Sequence, residues 1–346
     1  MKKRLSLFLA ALAFLLLAVL LVIFPHEAKS GAANGIALCS TVIIPSLFPF
    51  TFCALMILKL ANIKRLDMPN RVIKKLFHTD LTVFSVFIIS LFSGYPTGAA
   101  LVRELEENSK IERKTAKAMY CCCVNAGPAF IISFISETVF NNKKLGLILL
   151  ASHILPSFLL LLLYRPLLCE ALSTADTKQP QSFSETFVEC AAQSSSSMLK
   201  ICSIVILFSS INGLMLHFSE LKVVSMLLEI TSGVLLTDNV YAVSFLLGFA
   251  GLSVWCQVFA NAAGSIHIPL FAASRIIHGT VSAVLTIIFI KVFGITVSTL
   301  SNGKNALFIP LADSLAVSIG LFCMTVLFII SVFGKSNCRK MKCDVV

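Results

Sequence analysis

Charge is scarce in this sequence. Lysine, arginine, aspartate and glutamate make up 13% of 346 residues, where a soluble domain needs about a quarter to cover its surface. No polar stretch is long enough for a separate soluble domain. A nucleophile–base pairing, a zinc-type spacing, a glycine-rich phosphate loop and an ATPase motif are also missing from the sequence. These absences argue against a soluble enzyme and an ATP-driven pump, and the serines at 194–197 read as a linker or helix cap. What is abundant is apolar: 57% of the residues are hydrophobic. The surface must largely face lipid, and the length allows roughly eight to ten membrane-crossing or re-entrant segments. The net charge of +11 then reflects cytoplasmic loops and anionic headgroups, not nucleic acid. The 12 cysteines show no ligand or disulfide pattern, and Cys121, Cys122 and Cys123 act as small hydrophobes. No cofactor is expected beyond a coupling Na+ or H+.

Residues 5–24 are uncharged and apolar, enough at about 1.5 Å per residue to cover a hydrocarbon core of roughly 30 Å. Lys2, Lys3 and Arg4 precede them and no small-residue cleavage site follows before Pro25. Residues 1–30 therefore read as an uncleaved transmembrane anchor with its N-terminus inside. A second apolar segment, 35–58, leads into a loop with Lys59, Lys64, Arg65, Arg71, Lys74 and Lys75, which the positive-inside rule places in the cytoplasm. Within 82–101, Pro96 lacks an amide donor and pushes Tyr95 out of the α region. Two short apolar arms around that breaker predict a re-entrant hairpin. Segment 118–135 is broken at Asn125-Ala126-Gly127-Pro128, 145–163 is a plain span, and 166–190 is a polar connection.

The order of features suggests an internal repeat. The first unit is 31–165 and the second 191–333, of opposite orientation. Phe92-Ser93-Gly94 aligns with Phe249-Ala250-Gly251, which puts a second hairpin near 240–261. Asn125-Ala126-Gly127 aligns with His278-Gly279-Thr280, which puts a second broken helix at 275–293. A span at 308–333 closes the unit, before a basic tail at 334–346. The fold class is thus an all-α polytopic membrane protein of two inverted repeats, each with a re-entrant helical hairpin and a broken transmembrane helix. Counting spans puts the C-terminus outside, whereas Lys335, Arg339, Lys340 and Lys342 argue for inside. An extra span near 223–236 would reconcile the two.

The strings PSLFPF, SGYPTGA, CVNAGPAF, LEITSG, GFAGLSVWCQV and RIIHG resemble those of the YlbJ-type sporulation integral membrane proteins. These belong to the nucleoside-recognition, or Gate, group. The resemblance spans nearly all of the chain beyond the first apolar segment. It implies an architecture similar to concentrative nucleoside transporters and a role in spore maturation. It also implies movement of dipicolinic acid across the outer forespore membrane.

Paired broken segments are the best sequence pointer to a transporter site. Ser93, Gly94, Tyr95 and Thr97 form the first hairpin tip, whose exposed helix amides suit an anionic group, although a tight turn needs the same residues. Asn125 and Gly127 open the next helix. Glu229 is a carboxylate in an apolar run, a candidate proton carrier or cation ligand, with Thr231 beside it. Ser253 and Gln257 share one helical face, as ligands or as interhelical glue. Arg275 and His278 are a basic pair in an apolar span, suited to a carboxylate. A secondary transporter or facilitator of a small anionic aromatic metabolite leads. Polar contacts without a required basic residue would favour a nucleoside instead, and a non-transporting scaffold or sensor is a third reading. The expected partners are the lipid bilayer and the small solute, with self-association left open.

Overall fold

The computed structural model describes residues 2–60, 67–172, 182–217, 221–262 and 266–295. Among these the regular structure is helical throughout. The 308–333 segment and the basic tail lie outside the described residues.

Helix α1 (Lys2–Ile23) is apolar on every side. It meets α2 (Pro25–Leu38) at 100°, not antiparallel to it as two successive spans would lie. Pro25 starts α2, so the expected anchor of residues 1–30 ends at Ile23. A widened π turn at Cys39–Ile43 joins α2 to α3 (Ile44–Leu60), just upstream of Pro45 and Pro49, which each remove an amide donor. The three pieces form one bent rod. The amphipathic α4 (Asp67–Phe77) follows on the basic side, and Asp80 caps α5 (Leu81–Ser93) by accepting the Val83 amide at 3.1 Å.

At Gly94 the chain reverses into α6 (Tyr95–Glu107). A Cβ on Gly98 would lie 2.8 Å from the Ser90 Cβ, a contact that an unbroken helix could not make across eight residues. The predicted first hairpin is therefore present. Helix α7 (Arg113–Cys122), an irregular stretch through Gly127 and a π-helical run (Phe130–Val139) form the broken helix. Asn142 caps α8 (Lys143–Leu163) through the Leu145 amide at 3.2 Å.

The second half opens with α9 (Phe183–His217). Ser182 and Glu185 bond each other's backbone amides across its start, a capping box, so the polar connection ends earlier than the expected residue 190. Gly31 and Gly213 let α2 and α9 touch: added Cβ atoms would stand 2.3 Å from the Ser209 carbonyl oxygen and 2.4 Å from that of Glu27.

Here the structure corrects the repeat. The second hairpin is α10 (Lys222–Leu228) and α11 (Ile230–Leu235), reversing at Glu229. A Cβ on Gly233 would fall 2.4 Å from the Met226 carbonyl oxygen, so the arms fold back. Segment 240–261, expected as the hairpin, is instead one 22-residue span, α12 (Val240–Phe249) and α13 (Gly251–Asn261), interrupted at left-handed Ala250 and Gly251. The expected break at 275–293 is absent. Helix α14 (Ile268–Phe293) runs unbroken through His278-Gly279-Thr280. Gly279 is a packing residue, whose Cβ would lie 2.8 Å from the Phe245 carbonyl oxygen.

In the observed register each unit is a long rod, a hairpin, a broken helix and a closing span. The rods are α2–α3 and α9, and the closing spans are α8 and α14. The contacts repeat too. A Cβ on Gly127 would lie 3.5 Å from the Gly94 amide at the first tip, and one on Gly251 would lie 3.1 Å from the Ile230 amide at the second.

Side-chain pairs sort the element ends onto two faces. On the basic face Lys59 meets Glu189 at 3.1 Å, Lys74 meets Glu170 at 2.6 Å, and Arg103 donates to the Asn261 carbonyl at 3.2 Å. On the opposite face Glu27 lies 3.5 Å from His217. The positive-inside rule predicts that the basic face is cytoplasmic. The rod of α2 and α3, the first broken helix, α8, α9, α12–α13 and α14 each run between faces, so Ile295 stands on the outer one. If 308–333 adds one crossing, as hydropathy expects, the C-terminus is cytoplasmic. A C-terminal fluorescent-protein fusion should then be bright and a C-terminal alkaline phosphatase fusion inactive. The reverse pattern would break this topology.

Candidate functional site

The two hairpin tips meet at an interior cavity of about 40 Å³. Its walls are built twice over. The rods supply Ile43 and Leu47 from one unit and Ile201 and Val205 from the other. The tips supply Gly94, Tyr95 and Pro96 opposite Glu229, Ile230 and Thr231, and the broken helices supply Gly127 and Phe130 opposite Val254 and Gln257. Of the residues expected from sequence, Gly94, Tyr95, Gly127, Glu229, Thr231 and Gln257 therefore border one space. Ser93, Thr97, Asn125, Ser253, Arg275 and His278 do not.

The tips differ in chemistry. Glu229, 1% exposed, turns its carboxylate back on α11, accepting the Thr231 amide at 3.0 Å and the Ser232 amide at 2.6 Å. Both oxygens act as acceptors. The corresponding position in the first unit is Gly94 (φ 86°), which offers α6 no side-chain cap. Glu229→Ala should remove a cap worth about 1–2 kcal/mol and lower the melting temperature of the detergent-solubilised protein by several degrees. Glu229→Gln, which keeps one acceptor oxygen, should fall between, and an Ala variant as stable as its parent would contradict this role.

Tyr95 borders the cavity with its ring, while its hydroxyl donates to the Leu247 carbonyl at 2.8 Å and ties the first tip to the second unit. Thr97 faces α3, sharing a 3.0 Å hydrogen bond with Thr51. Asn125 repairs the break in its own helix. Its amide donates to the Cys122 carbonyl at 2.9 Å and to Ser90 at 3.2 Å, and its oxygen accepts from Ser157 at 2.6 Å. Ser93 and Ser253 are buried, and their hydroxyls have no partner among the described residues. Trp255 donates to the Phe249 carbonyl at 2.8 Å and packs against Phe259 and Phe271, away from the cavity.

Arg275, expected from sequence to suit a carboxylate, is engaged within the protein. It is fully buried on α14, yet its guanidinium takes the backbone carbonyls of Val124, at 2.5 Å, and Cys121. These are orphan acceptors at the end of α7, where the helix dipole is negative. Arg275 thus holds the first unit's broken helix from the second unit. His278 reinforces the joint through a 2.9 Å contact from Nε2 to the His153 carbonyl. Since that partner can only accept, His278 Nε2 carries the proton.

His153 completes the joint, and no motif marks it in the sequence. Its Nε2 accepts the Ala126 amide at 2.8 Å and its ring stacks on His278 with centroids 4.5 Å apart. The available signal was a histidine inside an otherwise apolar span, where an ionisable side chain needs a reason.

These features define an all-α polytopic membrane protein whose two hairpins enter from opposite faces and meet at one cavity. The chain is similar to the sporulation integral membrane protein YlbJ of Bacillus subtilis (strain 168), being 22% identical over an alignment of 342 positions, with 84% of each chain covered. No family model matches the chain, and no solved structure matches it.

Proposed function

We propose that the chain is a secondary transporter or facilitator acting in sporulation, with a small metabolite passing between its two hairpin tips. The observation that supports this is the doubled wall of the cavity, in which each unit contributes a rod, a hairpin tip and a broken helix. Tips entering from opposite faces suit alternating access, because moving one unit opens one side while the other stays shut. At about 40 Å³ the cavity is too small for any metabolite, so passage requires such a movement. The sporulation role is brought by the similarity to YlbJ.

Dipicolinate, crossing the outer forespore membrane, is the solute that the family resemblance implies. It would travel with a proton or Na+ near the Glu229 carboxylate on the wall. A neutral nucleoside-type solute is a second reading, favoured by one observation. Among the described residues no lysine or arginine borders the cavity.

Deleting the gene in its spore former and assaying dipicolinate in mother cell and spore tests the first reading. Low spore dipicolinate with retention in the mother cell is expected. Normal spore dipicolinate in a strain without a second copy would overturn it. Uptake of labelled dipicolinate or labelled uridine by proteoliposomes, with and without a pH gradient, separates the two solutes. Uptake of neither would overturn transport and leave a scaffold or sensor.

A further inference from the structure

A second and larger cavity, about 350 Å³, opens at the outer face between α2, α9 and α11. That size falls in the range of roughly 300–1,000 Å³ typical of small-molecule sites. Glu27 and His217 stand together at its mouth, 3.5 Å apart, and Asn34, Ser209, Asn212 and Ser232 border it further in. Ser232 faces this chamber while its neighbour Thr231 faces the cavity between the tips, so one turn of α11 separates the two spaces.

Two of the deeper side chains carry a buried polar atom without a partner among the described residues. Asn212, 2% exposed, accepts the Ser225 hydroxyl on Oδ1, which leaves its Nδ2 hydrogens with no acceptor among the described residues. Ser209, 3% exposed, likewise has an unpartnered hydroxyl. Neither donor opens onto the chamber as it stands; a buried donor left unpaired costs about 1–3 kcal/mol, so a solute oxygen in the chamber would draw each side chain to turn toward it. The charges narrow the choice. Among the described residues no lysine or arginine borders the chamber; its ionisable lining is His26 and, at the entrance, Glu27 with His217 beside it. An anion would give up hydration only to meet a like charge, whereas a neutral oxygen-bearing molecule exchanges its water for these donors at little cost.

We propose that this chamber is a second binding site, reached from the non-cytoplasmic side, for a small neutral solute that presents carbonyl or hydroxyl oxygens to Asn212 and Ser209. The site does not require anything to cross between the tips, so it and the transporter reading fail separately.

The test places a cysteine at Ser209 in the full chain and adds a membrane-impermeant thiol reagent to intact cells, with labelling at that position read by mass spectrometry. Asn34→Cys serves the same purpose should Ser209→Cys, which abuts Gly35, not fold. The cysteine should be modified, and saturating uridine or nicotinamide should slow modification about tenfold while dipicolinate does not. Asn212→Asp, which keeps the acceptor for Ser225 and removes the amide donors, should weaken that protection about tenfold. No modification at either position, modification unchanged by both neutral probes (a chamber holding water only), or better protection by dipicolinate would each overturn the proposal. Protection without proteoliposome uptake would retain the chamber and sink the transporter reading; uptake without protection would do the opposite.

Discussion

Arg275→Ala should abolish most of the folded protein. The substitution strips two buried carbonyls, those of Cys121 and Val124, of their donor and empties a fully buried volume between the units. Orphaned buried acceptors cost about 1–3 kcal/mol each, so a loss of roughly 3 kcal/mol or more is expected with the cavity included. That is a large share of a typical total stability of about 5–15 kcal/mol. Fluorescence-detected size exclusion in mild detergent should show the monodisperse peak reduced to a small remnant. Arg275→Lys, a point charge without the planar fork, should recover part of the peak, since one ammonium cannot readily serve both carbonyls. The alternative makes a different prediction. If Arg275 were instead a solute ligand, the Ala variant would fold like its parent and fail only in uptake or in filling spores with dipicolinate.

Gly98→Ala carries the second large effect. The added Cβ would stand 1.8 Å from the Cys123 carbonyl oxygen and 2.8 Å from the Ser90 Cβ. Neither neighbour is the flexible end of a side chain, so α6 must leave its seat against the break and the hairpin must open. Overpacking a tight core costs about 1–3 kcal/mol, and a backbone contact this short belongs at or beyond the upper end. Gly94→Ala is the informative comparison. It pays a left-handed φ of 86°, but its Cβ meets chiefly the Leu47 side chain, at 2.8 Å, which can turn aside. Melting in detergent should rank the parent above Gly94→Ala and Gly94→Ala above Gly98→Ala. A Gly98→Ala protein as stable as its parent would show that the hairpin does not sit where the structure places it.

The first unit was legible because its breaks use residues that cannot continue a helix. Pro96 lacks a donor and Gly94 takes a conformation closed to side chains, so the tip announces itself in the string Ser93–Gly98. The second hairpin has no such mark. Glu229 breaks the helix with extended backbone (φ −136°, ψ 118°) and caps the next one with its own carboxylate, without glycine or proline at the turn. Its arms, of 7 and 6 residues, are too short to stand out in hydropathy. The glycines at 251 and 279 drew the alignment instead. One marks the second broken helix and the other only lets α14 approach α12. The extra span expected near 223–236 is instead the hairpin, which adds no crossing; the crossing that brings the basic tail inside is 240–261.

Composition and local stereochemistry were sufficient for the membrane environment, the helical class, the basic cytoplasmic face, and both breaks of the first unit. Each of those follows from transfer free energy or from what a single residue's backbone allows, and both act within a few residues of chain. The tertiary structure alone decided which segment of the second unit is the hairpin, which six of the twelve candidate residues share a cavity, and that Arg275 answers to carbonyls. Apolar helices of similar length are interchangeable as strings. Which glycine meets which backbone, and which acceptors a buried guanidinium finds 151 and 154 residues away, depend on how the helices pack.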